Sequence, residues 1–330
     1  MAQAAQHVPQ PAYPLGRAAH IAEREARSPR RDAWLRLRRN RATVPALVVI
    51  IVIATCAIAA DWIAPIPFAQ QDSNRAFEGP SSQHWLGTDQ LGRDVFSRLL
   101  QGARISLAVG VVTQLIILVI GVPVGAVAGF LGGRADQLLM RAIDVMYSFP
   151  DLLIVIIVMT TLRAAFRDPR SSGLMSALAN LDGAFGGLLG VFVALALVSW
   201  LTVARLVRSQ VLALRERDFV TAARAGGATS RSIIVRHLLP NTVGVIVIAA
   251  TFGIPRAILV EASLSFIGLG VQAPMTSWGL MLLEGYKALR ATPHLILSPA
   301  LALSLTVLAY NFLGDGLRDA LDPWSEQTHL

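Results

Sequence analysis

FVTAARAGGATSRSIIVRHLLPN, Phe219 to Asn241, is a short basic segment set between two apolar runs of membrane length. Arginines stand at 224, 231 and 236, and Gly226-Gly227 breaks the segment in the middle. Arg215 to Ala225 reads as a helix with Phe219, Ala222 and Ala223 on one face, since alanine is the best helix former. Gly226-Gly227 ends it, because glycine takes the left-handed conformation that a helix terminus often needs. Thr229 or Ser230 is placed to cap a second helix. Ile233, Ile234, Val235, Leu238 and Leu239 make that helix apolar, and Pro240 punctuates it before the next run. The pattern is helix, tight turn, helix, with a turn nearly free of side chains. Three readings are open. A DNA-binding helix-turn-helix would also be basic, but both ends of this one lie close to a bilayer. An ordinary solvated loop is the second. The third is a docking element, where small residues let a cytoplasmic partner approach the backbone and arginines meet its acidic groups.

Outward from this segment the chain is apolar. Of 330 residues, 54% are hydrophobic and only 15% charged, against about 25% charged in a soluble domain. Mean hydropathy is +0.56. A bilayer crossing needs roughly 20 apolar residues, and six runs approach that length: Thr43–Ile63, Ile105–Leu131, Ile143–Leu162, Phe185–Val203, Thr242–Phe266 and Pro293–Leu313. An all-α membrane protein with six transmembrane helices is expected. The organisation follows: an arginine-rich tail over 1–42 of low apolar periodicity, a first span over 43–63, an extracytoplasmic segment over 64–102, a core over 103–315 with five spans and a cytoplasmic loop at 205–241, and a C-terminal tail over 316–330. The polar, arginine-rich start offers no cleavable signal. In the second span, Gly121 and Gly125 form a small-xxx-small pair suited to close helix packing, and Pro123 predicts a kink.

The net charge of +8 fits cytoplasmic loops better than nucleic-acid binding. With the N-terminus inside, 19 of the 29 basic residues fall in inside segments and eight outside. Both termini and the Phe219–Asn241 segment are therefore expected in the cytoplasm of a cell-membrane protein. Only one basic residue is a lysine, Lys287. A P-loop needs Gly-x-x-x-x-Gly-Lys-Ser/Thr, and Lys287 follows Glu284-Gly285-Tyr286 instead. ATP hydrolysis within this chain is excluded by that reading. No metal spacing appears among the six histidines, no Gly-x-Ser-x-Gly elbow is present, and lone Cys56 reads as a small buried hydrophobe.

Ala222-Ala223, three residues, Gly227, then His237-Leu238-Leu239-Pro240 resembles the EAA loop of permease subunits of ATP-binding cassette importers. Thr221 stands where that family has glutamate, and His237 where it usually has isoleucine. HWLGTDQLGRDVFSRLLQGARISLAVG (84–110) and SLSFIGLGVQAPMTSWGLML (263–282) are similar to the dipeptide, oligopeptide and nickel branch, in its C-type permease. The resemblance implies a type I importer permease fold and a coupling helix docked on an ATPase through Asp218, Thr221, Ala222, Ala223, Gly226, Gly227, His237 and Pro240. It implies no cofactor in this chain, with ATP and Mg on one fused or two separate partner ATPases. It further implies a homologous second permease, completing a heterodimer, and an extracytoplasmic substrate-binding protein. Substrates of such relatives are di- or oligopeptides, glutathione or nickel chelates.

Other constellations carry further expectations. Leu91, Val95 and Leu99 make one apolar helix face, beside which Asp89, Arg93, Asp94 and Arg98 could meet an extracytoplasmic partner. Asp94 and Arg98 have i,i+4 spacing, worth about 0.2–0.5 kcal/mol. His84 and His294 are expected at a solvated outer boundary. Glu261 and Ser265 could line an outer vestibule, and Asp144 could fix the helix start before Pro150. An ion-coupled secondary transporter is the rival class. It needs ionisable groups near the bilayer midplane, and the six runs have no convincing mid-span carboxylate.

Overall fold

The structure is a computed structural model that describes residues 40–167 and 173–321, with Leu35, Leu37 and Arg38 ahead of them. Most of the expected N-terminal tail and the end of the C-terminal one lie outside the described residues. In chain order the helices are α1 (Thr43–Ile58), α2 (Val95–Leu131), α3 (Gly133–Tyr147), α4 (Asp151–Arg167), α5 (Leu174–Ala184) and α6 (Leu188–Leu214). Then follow α7 (Asp218–Ala225), α8 (Ser230–Phe266), α9 (Trp278–Lys287) and α10 (His294–Leu321). Ala60–Ile63 adds one turn after α1.

Among the described residues, four helices are long and apolar enough to cross a membrane: α2, α6, α8 and α10. The expected third span is not one helix. It is broken between Tyr147 and Asp151, where α3 and α4 meet at 88°. Pro150 explains the break, because it removes a donor and pushes Phe149 out of the helical region. The Asp151 carboxylate then lies in the first turn of α4, where the helix dipole favours it. Asp144, expected in that role, sits on α3 and pairs with Arg205 instead. The first expected span is the 16-residue α1, short of spanning length by itself, followed by the extra turn Ala60–Ile63. α10 runs through the expected boundary at residue 315.

α2 and α6 form the central pair, and glycine sets their separation. A Cβ at Gly121 would lie 2.8 Å from the Trp200 carbonyl oxygen, one at Gly129 2.7 Å from that of Arg208, and one at Gly125 would collide with the Ala204 carbonyl. The four-residue repeat on α2 meets a four-residue repeat on α6, which is how membrane helices pack without a hydrophobic drive between them. Pro123 lies inside α2 without ending it. Around this pair, Val109, Val155, Val191 and Leu264 build one core cluster, and Val95, Trp278, Met281 and Leu295 build another beside α9. A third cluster carries Ile117, Val203, Val207 and Val211 towards the α7 loop.

Candidate functional site

The α7 loop is a rigid projection mounted on two long helices. Val220, fully buried, inserts beside Ile233, Leu238, Val207 and Val211. That leaves the opposite face of α7 outward: Asp218, Thr221, Ala222 and Ala225 are exposed, and Phe219 retains 39% of its surface. The helix ends as its glycines predict. The Gly227 amide donates to the Arg224 carbonyl and the Ala228 amide to that of Ala223, both at 3.0 Å. Gly227 holds φ at +81°, so the end is of the Schellman type. No atom lies within 4 Å of a Cβ placed at Gly227, so the tip is open to an incoming surface.

The second limb departs from expectation in one respect. Thr229 is its N-cap, accepting from the Ser232 amide at 3.3 Å, but Pro240 does not separate this helix from the next span. Ile234–Leu238 forms one π-type turn within α8, and the helix runs on through it to Phe266. Pro240 has no amide to give the carbonyl four residues back. The ladder widens locally, with the Leu239 amide donating to Ile234. The Asn241 side-chain amide donates to the His237 carbonyl at 2.6 Å. His237 and Ala223 are half-buried, whereas Gly226 and Pro240 are exposed. The eight docking residues of the sequence reading thus fall on one projecting unit, six of them exposed.

Polar contacts brace that unit against α2 and α3. The Arg215 guanidinium donates to the Gly129 carbonyl at 3.1 Å, and that of Arg224 lies 5.5 Å from the Phe130 ring centre. Arg208 pairs with Asp136, Arg205 with Asp144 at 2.8 Å, and the Tyr147 hydroxyl bonds that of Thr202 at 2.6 Å. The segment around α7 is thus tied to α2, and α6 to α3.

The opposite end of the molecule corrects the sequence reading. Asp89, Arg93, Asp94 and Arg98, expected to contact a partner, are all buried. The Asp89 carboxylate accepts from Arg93 at 2.7 Å and from Arg98. Glu284 on α9 completes the cluster, accepting from Arg93 at 3.1 Å and from Arg98 at 2.5 Å. Asp94 does not pair with Arg98. It caps α2, accepting from the Ser97 amide at 2.7 Å, and bonds His84 Nδ1 at 2.9 Å. His84 is thus buried, and His294 is half-buried with Nε2 enclosed; neither is a solvated boundary residue. Buried charges need partners, and Asp89, Arg93, Arg98 and Glu284 supply each other. Glu284 was missed because it lies 191 residues from Arg93. Its one sequence signal is a lone carboxylate on an amphipathic helix.

Glu261 and Ser265 do not line a vestibule either. Both are buried, and the Ser265 hydroxyl donates to Glu261 Oε1 at 2.6 Å. Ser265 also accepts from the Val271 amide at 3.2 Å, so the pair fastens the end of α8 to the following loop. Arg256 lies within α8 and pairs with Asp151 at 2.5 Å. The missed residue of most interest is Gln114, a lone amide inside the apolar run of α2, which borders a cavity between α2, α6 and α8.

Comparison with known proteins agrees with this geometry. Residues 121–327 match the family described as binding-protein-dependent transport system inner membrane component. Residues 28–80 match the N-terminal TM domain of oligopeptide transport permease C. The chain is 40% identical over 308 residues to the dipeptide transport system permease protein DppC of Bacillus subtilis (strain 168), covering 93% of this chain and 89% of that one. It is 38% identical over 293 residues to the oligopeptide transport system permease protein OppC of the same organism, covering 89% of each. Identity reaches 42% over 300 residues with the glutathione transport system permease protein GsiD of Escherichia coli O6:K15:H31 (strain 536 / UPEC), 91% and 92% of the two chains. A solved structure titled as inward facing conformations of the MetNI methionine ABC transporter superposes with a TM-score of 0.52 at 22% identity. That match covers 68% of this chain and 96% of the other, and shows the shared fold.

Proposed function

The chain belongs to the binding-protein-dependent transport system inner membrane component family, and we infer that it is the permease subunit of a peptide importer. It forms half of the path for di- or oligopeptides across the cell membrane, and partner subunits supply ATP hydrolysis with their own ATP and Mg. The observation that carries this reading is the α7 loop: an exposed, small-residue tip on a base buried between α6 and α8. A P-loop ATPase, fused or separate, takes α7 into a groove on the cytoplasmic side, where both termini lie. ATP-driven closure of the ATPase pair moves α7, and the braced helices carry that motion to the path. This is a two-state element biased by a ligand on another chain. A second, homologous permease completes the path, and an extracytoplasmic binding protein delivers the peptide.

Thr221 has no carboxylate, so docking here rests on shape and on Asp218 rather than on an acidic residue at that position. A second reading for the cargo, glutathione, is favoured by the 42% identical relative; glutathione is itself a tripeptide derivative, so the site chemistry is shared. Gly227→Arg tests the assignment. The substitution strains the positive φ by about 1–2 kcal/mol and projects a long cation into the docking surface. ATP-dependent uptake of a labelled dipeptide by vesicles holding the full complex should be lost, while membrane insertion of the chain is normal. Normal uptake by that variant contradicts the docking role.

A further inference from the structure

α6 and α8 diverge over α2 and leave an open cavity of about 520 Å³, within the range of small-ligand sites. Leu195 and Leu206 form one wall, Ala249 and Phe252 the other, and Ile117 with Gln114 the floor. These walls are apolar, but the floor is not. Gln114 is 3% exposed, and its Nε2 has no hydrogen-bond partner among the described residues. A buried amide left unpaired costs on the order of 1–3 kcal/mol. The surroundings make room for that amide rather than filling the space. A Cβ at Gly253 would collide with Gln114 Oε1, so glycine is needed opposite it. Ser199, Thr202 and Arg256 add polar groups around the cavity.

We propose that this cavity is a subsite for a peptide substrate, taking one bulky apolar side chain between α6 and α8 while the Gln114 amide bonds the adjoining peptide group. The proposal rests on the peptide-importer reading and deepens it. A lipid acyl chain fits the walls equally well but leaves the Gln114 amide unpaired, whereas a peptide backbone offers both a donor and an acceptor beside each side chain. An amide whose two ends are donor and acceptor is matched to that partner.

The test uses the full importer in proteoliposomes, with Ala-Phe and Ala-Ala each presented on saturated binding protein. Ala249→Phe fills the wall. It should lower the ratio of Ala-Phe to Ala-Ala uptake about tenfold, the scale of discrimination in an apolar pocket. Gln114→Leu keeps the volume and removes the amide, and should lower uptake of both peptides about tenfold, the equivalent of one hydrogen bond. A dipeptide carrying a benzophenone side chain should photocross-link to α6 or α8 in the unmodified complex. An unchanged uptake ratio, or cross-links confined to other helices, overturns the subsite while leaving the importer reading intact. Loss of the second permease from purified Ala249→Phe complex also overturns it, since the cavity is then an interface between subunits. If the unmodified complex takes up neither peptide, the importer reading itself fails, and the subsite with it.

Discussion

At the residue scale, the ion cluster around Glu284 ranks the single side chains most sharply. Glu284→Gln removes one of two carboxylates facing Arg93 and Arg98 in a buried setting. Removing one partner of a buried pair costs about 3–5 kcal/mol, so the purified chain should unfold at a clearly lower temperature in detergent. Glu216→Gln breaks only the exposed pair with Arg215 and should leave the transition in place. Equal behaviour of the two variants would contradict the cluster's structural role. Gly125→Ala offers a second contrast. Its new Cβ meets the Ala204 backbone, whereas one at Gly79 meets nothing within 4 Å. Overpacking costs about 1–3 kcal/mol, so thermal unfolding should single out Gly125 and spare Gly79→Ala. The glycine pairing was legible in the sequence because small-residue spacing is local. The destination of Asp89, Arg93, Asp94 and Arg98 was not. Their spacing describes one helix face, while the acid that occupies two of them comes from α9, far along the chain.

At the element scale, the α7 loop was read correctly as helix, glycine turn and helix, because caps and turn residues act within a few positions. Its anchoring was not legible, since Val220 is one valine among many until α6 and α8 enclose it. The continuation into α8 was also missed. Pro240 signals a helix stop on local grounds, but a one-turn widening lets the helix pass it. In the same way the break between α3 and α4 is announced by Pro150, yet apolar residues at the end of α3 run on into those of α4 and mask it. Anchoring through Val220 predicts a measurable effect. Val220→Ala removes two buried methyl groups, on the order of 1.5 kcal/mol, so amide exchange over Asp218–Ala225 should quicken by about tenfold. Exchange unchanged there would mean that α7 is held by its flanking chain alone.

At the scale of the whole molecule, the two ends of the bundle differ in construction. The end that carries Glu284 is locked by buried charges and by the Glu261–Ser265 contact. The other end presents a rigid, small-residue projection braced by ion pairs on α3 and α6. Between them lies the cavity over Gln114. Such a body suits a subunit that receives force at one face and opens a path in its middle. Hydropathy made the spans visible because twenty apolar residues leave a strong signal. Beyond the α2 glycines, tertiary pairing left none, and so the cavity, its amide and the ion cluster around Glu284 emerged only from the packed helices. The most direct test of the account is purification of the full chain in mild detergent, with mass spectrometry of what accompanies it. The account predicts a P-loop ATPase and a second, similar permease with the unmodified chain, and loss of the ATPase alone with Gly227→Arg. Recovery of the chain alone, stable and monodisperse, would contradict it.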